Sequence, residues 1–136
     1  DDYRVFPLFE DTKNNILIIP ISGKGLWGTL YGYFAINNDG SVAGITFYKH
    51  KETPGLGGEV DAKWFQKQFN DTKYIFNNED LVSLQVMKPG INTDGDRYSV
   101  NGISGATITS NGLQNFLKAD LGNYENYIRS YLGGNR

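Results

Sequence analysis

The sequence predicts an α+β fold, an antiparallel sheet with helices packed against it. Three observations lead there. Apolar runs of strand length crowd the first half of the chain. Two of them are joined by the turn residues Asn37-Asn38-Asp39-Gly40, and the longest helical periodicity lies beyond residue 100. Strands and helices that mostly cluster, without regular alternation, favour an antiparallel sheet over a doubly wound one.

Each element has its own signal. Ile16 to Ile21 reads as a buried strand, with Pro20 placing its end at an edge or bend. Thr29 to Ile36 and Val42 to Tyr48 flank the Asn/Asp/Gly turn and form a hairpin. Val60, Trp64, Phe65 and Phe69 give a short amphipathic helix over Val60 to Phe69. Tyr74-Ile75-Phe76 and Leu81 to Met87 suggest further strand, with Val82, Leu84 and Val86 on the core side, and Lys88 to Tyr98 is loop. Leu113, Phe116, Leu117 and Leu121 recur at helical spacing after Ser104, with Gly122 placed as the C-cap. A last helix, Tyr124 to Leu132, presents Tyr124, Tyr127, Ile128 and Tyr131 on one side.

The chain has 136 residues, the length of one domain, and residues 1–136 are expected to form one. A domain of that size buries roughly two thirds of the surface its unfolded chain exposes, so a sizeable core needs no staples. Nine Tyr, eight Phe and two Trp supply packing material and exclude a disordered chain. The net charge of −2 gives no electrostatic case for nucleic acid or an anionic membrane surface as partner. The absence of cysteine excludes disulfides, thiolate metal sites and Cys-linked prosthetic groups. No stretch has the roughly twenty predominantly apolar residues of a membrane helix, so the chain as given is expected to be soluble. It begins at Asp1 without a signal peptide, and a fragment lacking a targeting or anchoring segment is expected.

The chemistry concentrates in Ser104-Gly105-Ala106-Thr107-Ile108-Thr109-Ser110. Gly102 and Gly105 let the backbone turn sharply before a helix start, where unpaired N–H groups and the positive end of the dipole favour an anion. Thr107 is thereby a candidate attachment point for phosphate. Local chemistry leaves a second reading open, and N-caps are the commoner feature: Ser104 as N-cap, with the hydroxyls of Thr107, Thr109 and Ser110 bonding nearby backbone. Two other segments stand out. Gly23-Lys24-Gly25-Leu26-Trp27-Gly28 matches a dinucleotide fingerprint by letter, but an aromatic-rich strand follows it where that fingerprint needs a helix. His50-Lys51-Glu52-Thr53-Pro54-Gly55-Leu56-Gly57-Gly58-Glu59 is a Pro/Gly loop able to bring backbone N–H groups and a small apolar side chain to a flat ligand. The alternative is a plain loop with His50, Glu52 and Glu59 solvated.

Metal and hydrolytic chemistry find little support. His50 is the only histidine, and no metal site is expected. Asn92-Thr93-Asp94-Gly95-Asp96 resembles the start of a calcium loop, yet Arg97 stands where that loop needs Gly, and a turn is expected. Ser104 has no nearby catalytic partner in sequence. Asn70-Asp71-Thr72 is a formal glycosylation sequon of low information.

The S-G-A-T segment ending at Thr107 resembles the flavinylation motif of the FMN-binding domains in the Na+-translocating NADH:quinone reductase and its Rnf-type relatives. The resemblance extends through the Ile16 to Ile21 strand, Gly25-Leu26-Trp27, the block from His50 to Glu59, and Ser104 to Gly112. Gly25-Leu26-Trp27 and Gly57-Gly58-Glu59 favour the quinone-reductase type of domain over the Rnf G type. The resemblance implies FMN joined to Thr107 by a phosphoester, with Ser104, Gly105 and Ala106 around the attachment point. It also implies that Thr53, Gly55 and Leu56 lie against the isoalloxazine, with Leu26 and Trp27 beside it. Thr109 is the competing hydroxyl and ranks below Thr107. Asn101 departs from the pattern, which commonly has Asp three residues before the serine, and bears on the efficiency of modification.

The function implied is electron carriage within a membrane-bound quinone reductase, with other subunits as partners and a flavin transferase for maturation. No catalytic residue of the domain's own is implied. The implied location is the periplasmic side of a bacterial inner membrane, behind an N-terminal anchor absent from this chain. Two alternatives are a G-type flavin protein of the Rnf complex and a non-redox extracytoplasmic module holding an anionic ligand without a bond.

Overall fold

A computed structural model of the chain describes residues 9–11, 15–70, 72–91 and 93–134. Its centre is a four-stranded antiparallel sheet in the order β1 (Phe9–Asp11), β2 (Ile16–Lys24), β3 (Thr29–Asn37), β4 (Val42–Lys49). Alternation fixes which face is buried. Leu17, Ile19 and Ile21 of β2 and Leu30, Phe34 and Ile36 of β3 point inward, joined by Val42, Ile45 and Phe47 of β4. The odd spacing from Val42 to Ile45 follows from a register shift between Ala35 and Ile36, which places an extra residue in β4. Among the described residues the pairing of β1 with β2 ends at Ile18, so Pro20 lies beyond it on that side, where its missing N–H is tolerated.

The helices cover the inner face of the sheet. α2 (Thr107–Asn123) crosses β2 at glycines. A Cβ on Gly112 would lie 2.3 Å from the Lys24 carbonyl oxygen, and one on Gly23 would lie 2.1 Å from Phe116 Cβ. Leu113, Phe116, Leu117 and Leu121 fill the space between the layers, as their spacing predicts. The buried Asp120 carboxylate accepts the Ser22 N–H at 2.8 Å and ties the far end of α2 to β2.

Several expected boundaries differ. The helix expected over Val60 to Phe69 is a 3₁₀ turn, Gly57–Asp61, followed by α1 (Lys63–Lys67), because Ala62 between them is extended at ψ 144°. Val60, Phe65 and Phe69 are buried, whereas Trp64 lies half-exposed with its Nε1–H donating to Glu59. The strand expected from Leu81 to Met87 is broken by Ser83, whose φ of +55° interrupts the alternation. Its parts are β6 (Asp80–Leu81), which pairs with β5 (Phe76–Asn77), and β7 (Gln85–Met87). Leu84 and Val86 stay inside, but Val82 turns outward. β7 pairs in parallel with β8 (Ser99–Asn101), unlike the antiparallel remainder. Gly122 is not a cap: α2 runs on to Asn123, and the Tyr124 N–H closes it on the Asp120 and Gly122 carbonyls. In α3 (Glu125–Gly134), Ile128, Tyr131 and Leu132 are buried, Tyr124 just before it is partly so, and Tyr127 is exposed.

The loop before β8 is anchored by Lys73. This nearly fully buried lysine donates from Nζ to the carbonyls of Thr93, at 2.8 Å, and Asp96, at 2.6 Å. Burial holds its pKa below the usual lysine range, while the carboxylates of Asp96 and Asp94 act against that. Asn92, first residue of the calcium-like segment, and Asp71 of the sequon lie outside the described residues. Among the described residues no group of three or more metal-ligating side chains gathers, and no helix is long and apolar enough to cross a membrane.

The glycine crossing yields a paired prediction. Gly→Ala inside an ordinary exposed helix stabilises by about 0.5–1 kcal/mol, and Gly122→Ala, with nothing within 4 Å of the added carbon, is expected to do so. Gly112→Ala forces the helix off β2 and is expected to destabilise by about 1–3 kcal/mol. Urea denaturation of the two variants beside the wild type reads both signs, and a stabilised Gly112→Ala would refute the close crossing.

Candidate functional site

Three segments far apart in sequence meet at one cavity: the β2–β3 hairpin tip, the loop after β4 and the first turn of α2. The hairpin tip is tightened by the Gly25 N–H donating to the Gly28 carbonyl at 2.8 Å. Its letters match a dinucleotide fingerprint, but the strand β3 follows, as the aromatic-rich sequence there predicts. The glycines here serve packing instead, since a Cβ on Gly25 would meet Leu30 and Glu52 within 2.7 Å. The loop after β4 folds back at Gly55, with φ +80°, and the Leu56 and Gly58 N–H groups both reach the Thr53 carbonyl.

α2 starts at Thr107, as expected, but its cap is not Ser104. Gly105, at φ +75°, makes a turn that leaves Ser104 in solvent and puts Ala106 at the N-cap, with no side-chain cap bond. Ser104 is therefore not the N-cap. An uncapped helix start leaves the N–H groups of its first turn without intrahelical partners, next to the positive end of the dipole. Of the nearby hydroxyls, Ser110 Oγ accepts the Ile103 N–H at 3.3 Å, and Thr109 is buried against Glu52. Thr107 alone among these is exposed and lines the cavity.

That cavity, about 310 Å³, is lined by Leu26, Trp27, Thr53, Leu56, Gly105, Ala106 and Thr107 of the expected site residues. Gly55 and Ser104 are near in sequence but do not line it. Trp27, 65% exposed, forms the rim with Leu26, Leu56 and Ile108, all substantially exposed apolar side chains. The cleft thus brings exposed apolar side chains and the first turn of α2 to the same cavity. A side chain at Gly105 would enter it, since its Cβ would lie 2.9 Å from Leu56 Cδ2.

Glu52 is the residue that sequence reasoning missed. Given no role in the sequence, and solvated in the plain-loop alternative, it is only 5% exposed and joins all three segments. Its Oε1 accepts the Leu26 N–H at 2.9 Å and the Thr109 hydroxyl, and its Oε2 accepts the Trp27 N–H at 3.0 Å. His50 and Glu59 are also engaged. His50 accepts the Glu52 N–H at Nδ1, which makes Nε2 the donor to Asp61 at 2.5 Å, and Glu59 takes the Trp64 indole N–H. Burial pushes the Glu52 carboxyl up, but the Thr109, Leu26 and Trp27 hydrogen bonds, with His50 nearby, outweigh it and hold the pKa below the usual range. Nothing in the local sequence marks this glutamate, because its donors lie 25, 26 and 57 residues away.

A depressed pKa gives stability that is present above the unfolded value, about 4.3, and lost as pH falls through the folded one. Glu52→Gln, uncharged throughout and with an amide turned against a backbone N–H, is expected to cost about 1–3 kcal/mol at pH 7. The gap to wild type is expected to shrink below about pH 4. Denaturant titrations at pH 7 and pH 3 check this, and a gap that stays constant would contradict the ionised assignment.

Comparison with known proteins bears on these residues. The FMN-binding domain family matches residues 25–121, which hold all the cavity-lining residues. The chain is 41% identical over 122 residues to the C subunit of the Na(+)-translocating NADH-quinone reductase of Pseudomonas aeruginosa, covering 87% of this chain and 46% of that protein. Its identity to the protein of the same name from Yersinia pestis is 43% over 109 residues, covering 79% and 40%. The chain thus spans less than half the length of these relatives. Among solved structures, the corresponding protein from Parabacteroides distasonis superposes with a TM-score of 0.78 at 34% identity, over 89% of this chain and 60% of that one. Shewanella oneidensis NqrC gives 0.75 at 29% identity, over 90% and 58%. With the match running from the hairpin tip through α2, the chain belongs to the FMN-binding domain family.

Proposed function

We propose that this chain carries FMN on Thr107 through a phosphoester bond and relays electrons within a membrane-bound Na+-translocating NADH:quinone reductase, as the counterpart of its NqrC relatives. The observation that carries this reading is the exposed Thr107 hydroxyl at an uncapped helix start inside a cavity with an apolar rim. The residues present suit the cofactor. Leu26, Trp27 and Leu56 offer apolar surface to a ring, the first-turn N–H groups of α2 suit a phosphate, and Gly105 leaves room at the attachment point.

FMN supplies reversible uptake of electrons, and the protein supplies position, exposure and electrostatics. Thr107 anchors and does not catalyse. Its Oγ–phosphorus bond forms as the hydroxyl proton and a leaving group on phosphorus depart, with a flavin transferase providing an FMN donor activated at phosphorus. Thr109 is withheld from that reaction by its burial and its bond to Glu52. A tether retains the cofactor without reliance on contacts alone, while the exposed rim lets donor and acceptor cofactors of neighbouring subunits approach. The periplasmic location and the partner subunits belong to this proposal.

Intact mass after coexpression with a flavin transferase tests the attachment. The wild type is expected to gain the mass of FMN less water, Thr109→Ala to gain it as well, and Thr107→Ala to gain nothing. A modified Thr107→Ala would move the site elsewhere. Asn101 stands at the end of β8, its backbone paired with the Gln68 amide through bonds of 2.8 and 3.1 Å. Asn101→Asp restores the family pattern without touching those backbone bonds. It is expected to raise the fraction flavinylated in a fixed time, read from the same mass spectra, and an unchanged or lower fraction would show that the charge is not used.

A further inference from the structure

We infer that Glu52 sets how readily FMN held on Thr107 takes up electrons: its carboxylate is a fixed negative charge in the cavity wall that disfavours reduction. This rests on the FMN reading above and adds a role to a residue otherwise explained by folding alone. The position is the first support. Glu52 lines the same cavity as Thr107, Trp27 and Leu56, and its oxygens are clamped from both sides, by the hairpin tip and by α2.

The character of its partners is the second. All three donors are neutral N–H or O–H groups, which stabilise an anion without cancelling its formal charge. Among the described residues Glu52 takes part in no ion pair, and the His50–Asp61 and Arg129–Glu125 pairs use other carboxylates. His50 acts on Glu52 electrostatically, but its Nε2 is given to Asp61 and its Nδ1 accepts from the Glu52 backbone. A carboxylate so placed sends its field into the cavity.

Reduction of FMN to the anionic hydroquinone consumes two electrons from the reductant and one proton from solvent, so the ring gains one net negative charge. A like charge held near it opposes that gain, as it opposes the ionisation of a second carboxylate in a shared site. The same carboxylate fixes the Leu26 and Trp27 backbone, so it is also a positioning residue for the rim.

The test is a redox titration at pH 8 of FMN-loaded wild type, Glu52→Gln, Glu52→Asp and Thr109→Val, with dithionite as reductant and loading verified by mass. Glu52→Gln is expected to shift the midpoint potential upward, corresponding to roughly a tenfold gain in the reduction equilibrium, the size of shift that like charges impose across protein sites. Glu52→Asp keeps the charge and is expected to remain close to wild type. Thr109→Val keeps the carboxylate but removes a donor that stabilises it, and is expected to shift the potential downward. A Glu52→Gln potential equal to wild type, or a Thr109→Val shift upward matching that of Glu52→Gln, would overturn the inference. Should Glu52→Gln fail to load, Thr109→Val decides by itself, and an unmoved potential rejects the inference. Absence of FMN on the wild type would instead reject the attachment reading.

Discussion

The site depends on one buried carboxylate. Glu52 accepts two backbone N–H groups from the β2–β3 tip and a hydroxyl from the first turn of α2, so three segments that share no local sequence become one wall. An ionised group in such a place is tolerated only with its hydrogen-bonding capacity met, and here neutral donors meet it. The arrangement is therefore close to all or none. Two donors without the third leave a desolvated charge short of partners, a state less favourable than either complete assembly or full exposure to water.

The second constraint is close approach of helix and sheet. Gly23 and Gly112 allow α2 to lie almost on the backbone of β2, with Phe116 filling the space above Gly23 and Asp120 clasping the Ser22 N–H. This crossing fixes where the helix begins, and its beginning is where Thr107 stands. The two constraints act on the same helix at different points, Asp120 near its end and Thr109 in its first turn, so rotation or sliding would break one or the other.

Much of this was legible in the sequence because it is written in local patterns. Short apolar runs gave β2, β3 and β4, helical spacing gave the buried face of α2, and the turn residues gave the hairpin, whereas the alternation from Leu81 to Met87 misled. Thr107 was marked by its hydroxyl at a helix start, and Thr53, Leu56, Leu26 and Trp27 by the family resemblance of their segments; all five line one cavity. What was not legible involves backbone conformations or partners that no periodicity encodes. The left-handed Ser83 split one expected strand and turned Val82 outward, and the left-handed Gly105 put the N-cap at Ala106, two residues past Ser104. Glu52 has no assigned role in the sequence, where the plain-loop alternative leaves it solvated, because its burial depends on donors 25 or more residues away. The parallel pairing of β7 with β8 escaped for the same reason, since it depends on the path of the intervening loop.

That loop carries its own counter-ion. The carbonyl oxygens of Thr93 and Asp96 converge on the Lys73 ammonium, and the carboxylates of Asp94 and Asp96 stand near enough to favour its charge. A dissolved cation in this role would come and go with concentration and could be stripped by a chelator. An ammonium on the chain is present at a stoichiometry of one and a chelator cannot remove it, so these two carbonyls keep their partner without any ion from the medium.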